Sequence, residues 1–151
     1  MQRIIKFRGK SVADGTWVYG DLIHMKGRKM AIWPTEEQYD GGAIEVIPAS
    51  VGQYTNSRDC FKKEIYEGDI VRQKWEATVI DEHDDEYSAK GTQTGIVALR
   101  TRGVCMSPCL KENDLTEDAL LTKNVPVTGW RSEIIGNTTD NPTLFEEICN
   151  P

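Results

Sequence analysis

The sequence predicts a mainly β protein with short helices near its C-terminus. Two observations carry that reading. Runs rich in Val, Ile, Thr, Tyr and Trp recur through the 151 residues, at 17–25, 29–33, 51–55, 69–80 and 95–101, and such residues fit a pleated, half-buried surface. Turn-forming pairs separate them, among them Asp14-Gly15, Lys26-Gly27 and Gly68-Asp69; glycine permits positive φ and Asp bonds to nearby backbone. The length fits one domain, or two lobes at 1–50 and 51–151.

In chain order, Gln2–Arg8 reads as a strand and Asp14-Gly15 as the hairpin turn into Trp17–Met25. In that second run Trp17, Tyr19, Asp21 and Ile23 share one face, and Val18, Gly20, Leu22 and His24 the other. Lys29–Trp33 completes a three-stranded meander ended by Pro34, and Ala43–Ile47 is a short strand closed by Pro48.

The central stretch is VGQYTNSRDCFKKEIYEGDIV, Val51–Val71: a strand end, a polar turn at Asn56–Cys60, and a strand entered through Glu67-Gly68-Asp69. A strand leaving on Gly-Asp-Ile-Val and returning on Gly95-Ile96-Val97 points to a small, strongly bent SH3-like barrel, with glycine where the sheet folds over itself. Between them, the acidic run Asp81–Glu86 and the polar Tyr87–Gln93 read as a variable loop. From Ser107-Pro108 the chain reads as partly helical, with a capping box at Asp114-Leu115-Thr116-Glu117. Val125–Gly129 and Ser132–Gly136 are the last strands, and Asn141-Pro142 opens a terminal helical turn.

The net charge of −6 is unevenly placed. Residues 1–35 hold seven basic side chains against Asp14 and Asp21, a net +5 that leaves −11 for the remainder. An acidic chain is a poor default nucleic-acid binder, since phosphate contacts dominate that affinity. The basic first third keeps the alternative open, with Arg3, Lys6, Arg8, Trp17, Arg28, Lys29 and Trp33 as its candidate face. Trp17, Tyr19, Trp33, Trp75 and Trp130 could supply base stacking, yet tryptophans on short strands more often pack in cores or subunit interfaces. No apolar run approaches the roughly 18 residues of a membrane helix, and the first residues lack a signal-peptide pattern. The expected setting is a reducing bacterial cytoplasm with Cys60, Cys105, Cys109 and Cys149 as free thiols.

No motif carries an evident chemistry. Cys105 and Cys109 are separated by a three-residue gap with Pro108 inside it, a poor fit to the two-residue gap of zinc loops, even with His24, His83 and Cys60 elsewhere. Asp81, Glu82, Asp84, Asp85 and Glu86 lack the alternation and turn glycine of a calcium loop. Glu64, Glu67 and Asp69 could in principle do acid–base work, but Asp69 reads better as a turn acceptor, and Tyr54 and Tyr66 as core or interface aromatics. Two histidines leave few general bases, so neither catalysis nor a cofactor is expected.

The central residues resemble the signature of the YopX family of small bacteriophage and prophage proteins. The resemblance rests on Gly52-Gln53-Tyr54-Thr55 and Glu64-Ile65-Tyr66 with Gly68-Asp69. Ile4–Arg8 is similar to the family's opening, and Glu133–Asn137 with Asn141, Pro142 and Leu144 to its close. Asn56 stands where the family usually has glycine, and Cys60-Phe61 where it has an Asn-Gly or similar pair. Asn tolerates left-handed backbone nearly as glycine does, which would preserve the turn. The family brings no established activity, so the motif residues imply structure.

The expected function is therefore a non-enzymatic binding or assembly module of a phage or prophage that self-associates into a homo-oligomer or binds a host or phage protein. The alternative is a small nucleic-acid-binding protein of phage DNA metabolism.

Overall fold

The computed structural model describes residues 2–36, 39–115 and 119–151. Six strands form the first antiparallel sheet: β1 (Phe7–Lys10), β2 (Trp17–His24), β3 (Met30–Pro34), β4 (Ile44–Val46), β5 (Gly52–Arg58) and β6 (Glu64–Tyr66), in the order β4-β3-β2-β1-β5-β6. The second contains β7 (Asp69–Ile80), β8 (Glu86–Arg100), β9 (Gly103–Asn113), β10 (Leu120–Thr122) and β12 (Ser132–Asn137), in the order β10-β9-β8-β7-β12; β11 (Val125–Pro126) pairs with β9. One helix, α1 (Pro142–Cys149), closes the chain after Asn141 and carries Pro142 in its first turn. No helix of the described residues is long and apolar enough to cross a membrane.

The predicted meander forms as β1–β3, and β4 extends it. Alternation along β2 sends Val18 and Leu22 into a core with Ile32 and Val46. Ile65, Val71, Val97, Met106 and Cys109 form a second core, and Ile70 and Ile96 pack with Ile148 of α1 in a third. The chain passes from one sheet to the other at Gly68, whose φ of +87° only glycine adopts cheaply. Gly52 lies close by, where an added Cβ would stand 2.2 Å from the Glu67 carbonyl oxygen.

Several expectations are corrected. The second sheet is open, and no closed SH3-like barrel exists among the described residues: its order runs β10-β9-β8-β7-β12 and its edge strands β10 and β12 do not pair with each other. Tyr87–Gln93 is strand, not loop; its polar residues satisfy their backbone along β7, and of its side chains only Ala89 is buried. Ser107 and Pro108 lie in β9, where the register shifts opposite Gly95–Val97 and a proline costs no ladder bond. Asp114 of the expected capping box pairs with Lys90, Thr116 and Glu117 lie outside the described residues, and Leu120 and Leu121 are in β10.

The strand expected at Gln2–Arg8 begins at Phe7, while Ile4 is held by two hydrogen bonds with the Asn56 side chain, 2.8 and 2.9 Å. Asn56 has φ +64°, in the left-handed region foreseen for it. β5 runs past it to Arg58, so the turn falls at Asp59–Lys63, with Asp59 Oδ1 accepting from the Phe61 and Lys63 amides at 2.9 Å each.

Candidate binding site

Where the sheets meet, residues of β1, β2, β6, β7 and β12 line a cleft of about 570 Å³. Its centre is Arg8, brought there by the pairing of β1 with β2 and β5. Arg8 is 7% exposed and its Nη2 lies 2.8 Å from Oδ1 of Asp69, itself 1% exposed. The guanidinium sits between two rings, 4.7 Å from the Trp17 centroid and 5.0 Å from that of Tyr66, an arrangement that suits a weakly hydrated, planar cation. Arg8 Nε is buried and makes no hydrogen bond with a described residue. Asp69 Oδ2 accepts from the Tyr66 amide at 2.8 Å. Burial pushes the Asp69 carboxyl above its ordinary range, against the opposing pull of Arg8 and that amide.

Tyr66 joins the cleft's parts. Tyr19 meets it edge-on and Tyr54 tilted, each with centroids 5.5 Å apart. Its hydroxyl donates to Glu64 Oε1 at 3.3 Å. Burial, then the neighbouring Glu64 charge, raises its pKa, so the phenol remains a protonated donor. Lys6 Nζ lies 2.9 Å from both Glu64 oxygens and 5.2 Å from the Tyr54 ring. Lys63 is a third cation of the lining. At the rim Asp140 takes an ion pair from Lys10 and hydrogen bonds from Trp17 Nε1 (2.9 Å) and Asn137 Nδ2 (3.1 Å). Lys10 foremost, then Trp17, lowers its pKa to about 2.

The motif residues thus converge on this junction. Gly52 permits the close backbone approach, Gln53 faces Phe7, Tyr54 faces Tyr66, and the Thr55 hydroxyl donates to the Ile65 carbonyl at 2.7 Å. Ile65 is core, Gly68 turns the chain, and Glu64, Tyr66 and Asp69 line the cleft.

The basic, aromatic face read from the first third divides. Lys6, Arg8 and Trp17 line the cleft, with both cations paired to carboxylates. Arg28 and Lys29 lie at the exposed β2–β3 turn, Trp33 is exposed on β3, and Arg3 is exposed before β1. Trp75 and Trp130 belong elsewhere: Trp75 donates to the Glu112 carbonyl under Lys111, and Trp130 stands exposed beside Arg131. The four cysteines are free, Cys105 and Cys109 are buried in β9, and no metal-ligating cluster occurs among the described residues. Asp81 Oδ1 accepts from the His83 and Asp85 amides at 2.8 and 3.0 Å, so the acidic run is a self-capped turn.

Nothing local in the sequence marks Asp140 or Lys63 as part of this site, and Asn137 stands out only through the family resemblance. The Lys10–Asp140 pair joins residues 130 apart, and no local pattern marks such a partner.

Among curated proteins, none matches this chain. The model of the family described as YopX protein matches residues 6–146, nearly the whole chain, which therefore belongs to the YopX family.

Proposed function

With YopX membership as the premise, we propose that this protein is a non-enzymatic binding and assembly module of a phage or prophage, acting in the host cytoplasm and self-associating. The observation that carries the reading is the junction cleft. Four of its charged groups are spent on one another, Arg8 on Asp69 and Lys6 on Glu64, Lys63 being the further cation, while Trp17, Tyr19 and Tyr66 offer aromatic surface. Such a lining fits recognition, in which aromatic anchors and a few oriented polar groups give specificity.

The nucleic-acid alternative is less well supported. At the cleft Lys6, Arg8 and Lys10 are each engaged by a carboxylate, so phosphate bound there would have to displace an existing pair. Co-expression of tagged and untagged copies in a bacterial host, with capture at low and moderate salt, tests both readings. Stoichiometric recovery of the untagged chain supports assembly. Nucleic acid that is retained at low salt and lost on raising it, without an untagged copy, favours the alternative.

A further inference from the structure

We propose that the acidic end of the β7–β8 hairpin in one copy docks on the outer β2–β3 face of a second copy, in a head-to-tail contact. This rests on the self-association reading and adds which surfaces meet. The hairpin outruns its sheet. β9 accompanies β8 as far as the Gly91↔Asn113 pair, and Asp114 bonds to Lys90 just beyond it, so among the described strands residues 77–80 and 86–89 pair with each other alone. A two-stranded ribbon is marginal in water without a surface to pack on. This one exposes Tyr87 (42%) on the face it shares with Val79 and Ile80 (62%) on the opposite face with Glu86, and its end carries Asp81, Glu82, Asp84 and Asp85.

The β2–β3 face has the opposite character. Val18 and Leu22 point into the core, which leaves Trp17, Tyr19, Asp21 and Ile23 outward in a row that begins in the cleft. Trp33 lies across from Asp21, and Ile23, Met25 and Trp33 are all substantially exposed. The row ends at the turn carrying Lys26, Arg28 and Lys29, none of which forms an ion pair with a described residue. A strip bearing Ile23, Met25 and Trp33 with a basic end therefore matches, chiefly by charge, a mixed ribbon bearing Tyr87 and Val79 on one face with an acidic end. Because the two surfaces differ, the contact is heterologous and repeats from copy to copy as a ring or filament.

The test reverses charge on each side. One variant carries Glu82→Lys, Asp85→Lys and Glu86→Lys, keeping Asp81 because it caps the turn. The other carries Lys26→Glu and Lys29→Glu. Wild type is expected to assemble in size-exclusion chromatography with light scattering, while each variant alone runs as a single 17.0 kDa chain. An equimolar mixture, or one chain carrying both sets, is expected to assemble again, and that recovery shows that both variants fold. Variants that assemble like wild type, or a mixture that stays single-chain, would overturn these surfaces and leave self-association standing. A single-chain wild type would remove both.

Discussion

Arg8 and Asp69 tie the two sheets with one buried ion pair, and their exchange exposes its cost. Breaking such a pair strands a buried charge, so Arg8→Met is expected to lose about 3–5 kcal/mol in urea unfolding. Adding Asp69→Leu to it should recover part of that loss; a double variant as unstable as the sum of the singles would show that the two residues act independently. Gly68→Ala should cost about 1 kcal/mol or more, because φ +87° excludes a comfortable Cβ. An unchanged melting temperature would contradict that geometry. Asp140 has its pKa depressed from 3.8 to about 2, so its pairing contributes stability above pH ~4 that is lost as pH falls through about 2. Asp140→Asn should therefore flatten this part of the acid limb relative to wild type, by a small amount because the carboxylate is 34% exposed. Single residues were legible in the sequence when their role is local: Gly68 and Asn56 show in the backbone what their types imply. Roles fixed by remote partners were not, as with Asp59, whose Oδ2 accepts from the amide of Ile134, 75 residues away.

Among the elements, β2, β3 and β7 were readable because apolar residues alternate along them or run together, and Asn141-Pro142 marked the start of α1. The first half of β8 was not. Its polar residues pair with a β7 segment that is itself exposed, so no apolar alternation remains to signal a strand. Amide exchange should reveal that difference within one hairpin. In dilute solution residues 77–80 and 86–89 are expected to exchange faster than 94–97, which lie between two strands. Equal protection at high dilution would mean that the hairpin end is supported within the single chain. Far-ultraviolet circular dichroism should be dominated by β signal, with α1 a minor part. A helix-dominated spectrum would contradict the architecture.

For the molecule as a whole, the sequence made the β class and the charge asymmetry plain, but not that the barrel stays open, since closure depends on register over many residues. The open sheets leave an acidic hairpin end and a basic turn on one chain. Copies that join these surfaces cover exposed apolar side chains while cancelling charge. Salt weakens the electrostatic part of such a contact and spares the apolar part. Sedimentation velocity at micromolar concentration, in low and high salt, tests this most directly. The expected result is a species heavier than 17.0 kDa at low salt that shrinks in proportion as salt rises. A single 17.0 kDa species under both conditions would contradict the assembly reading.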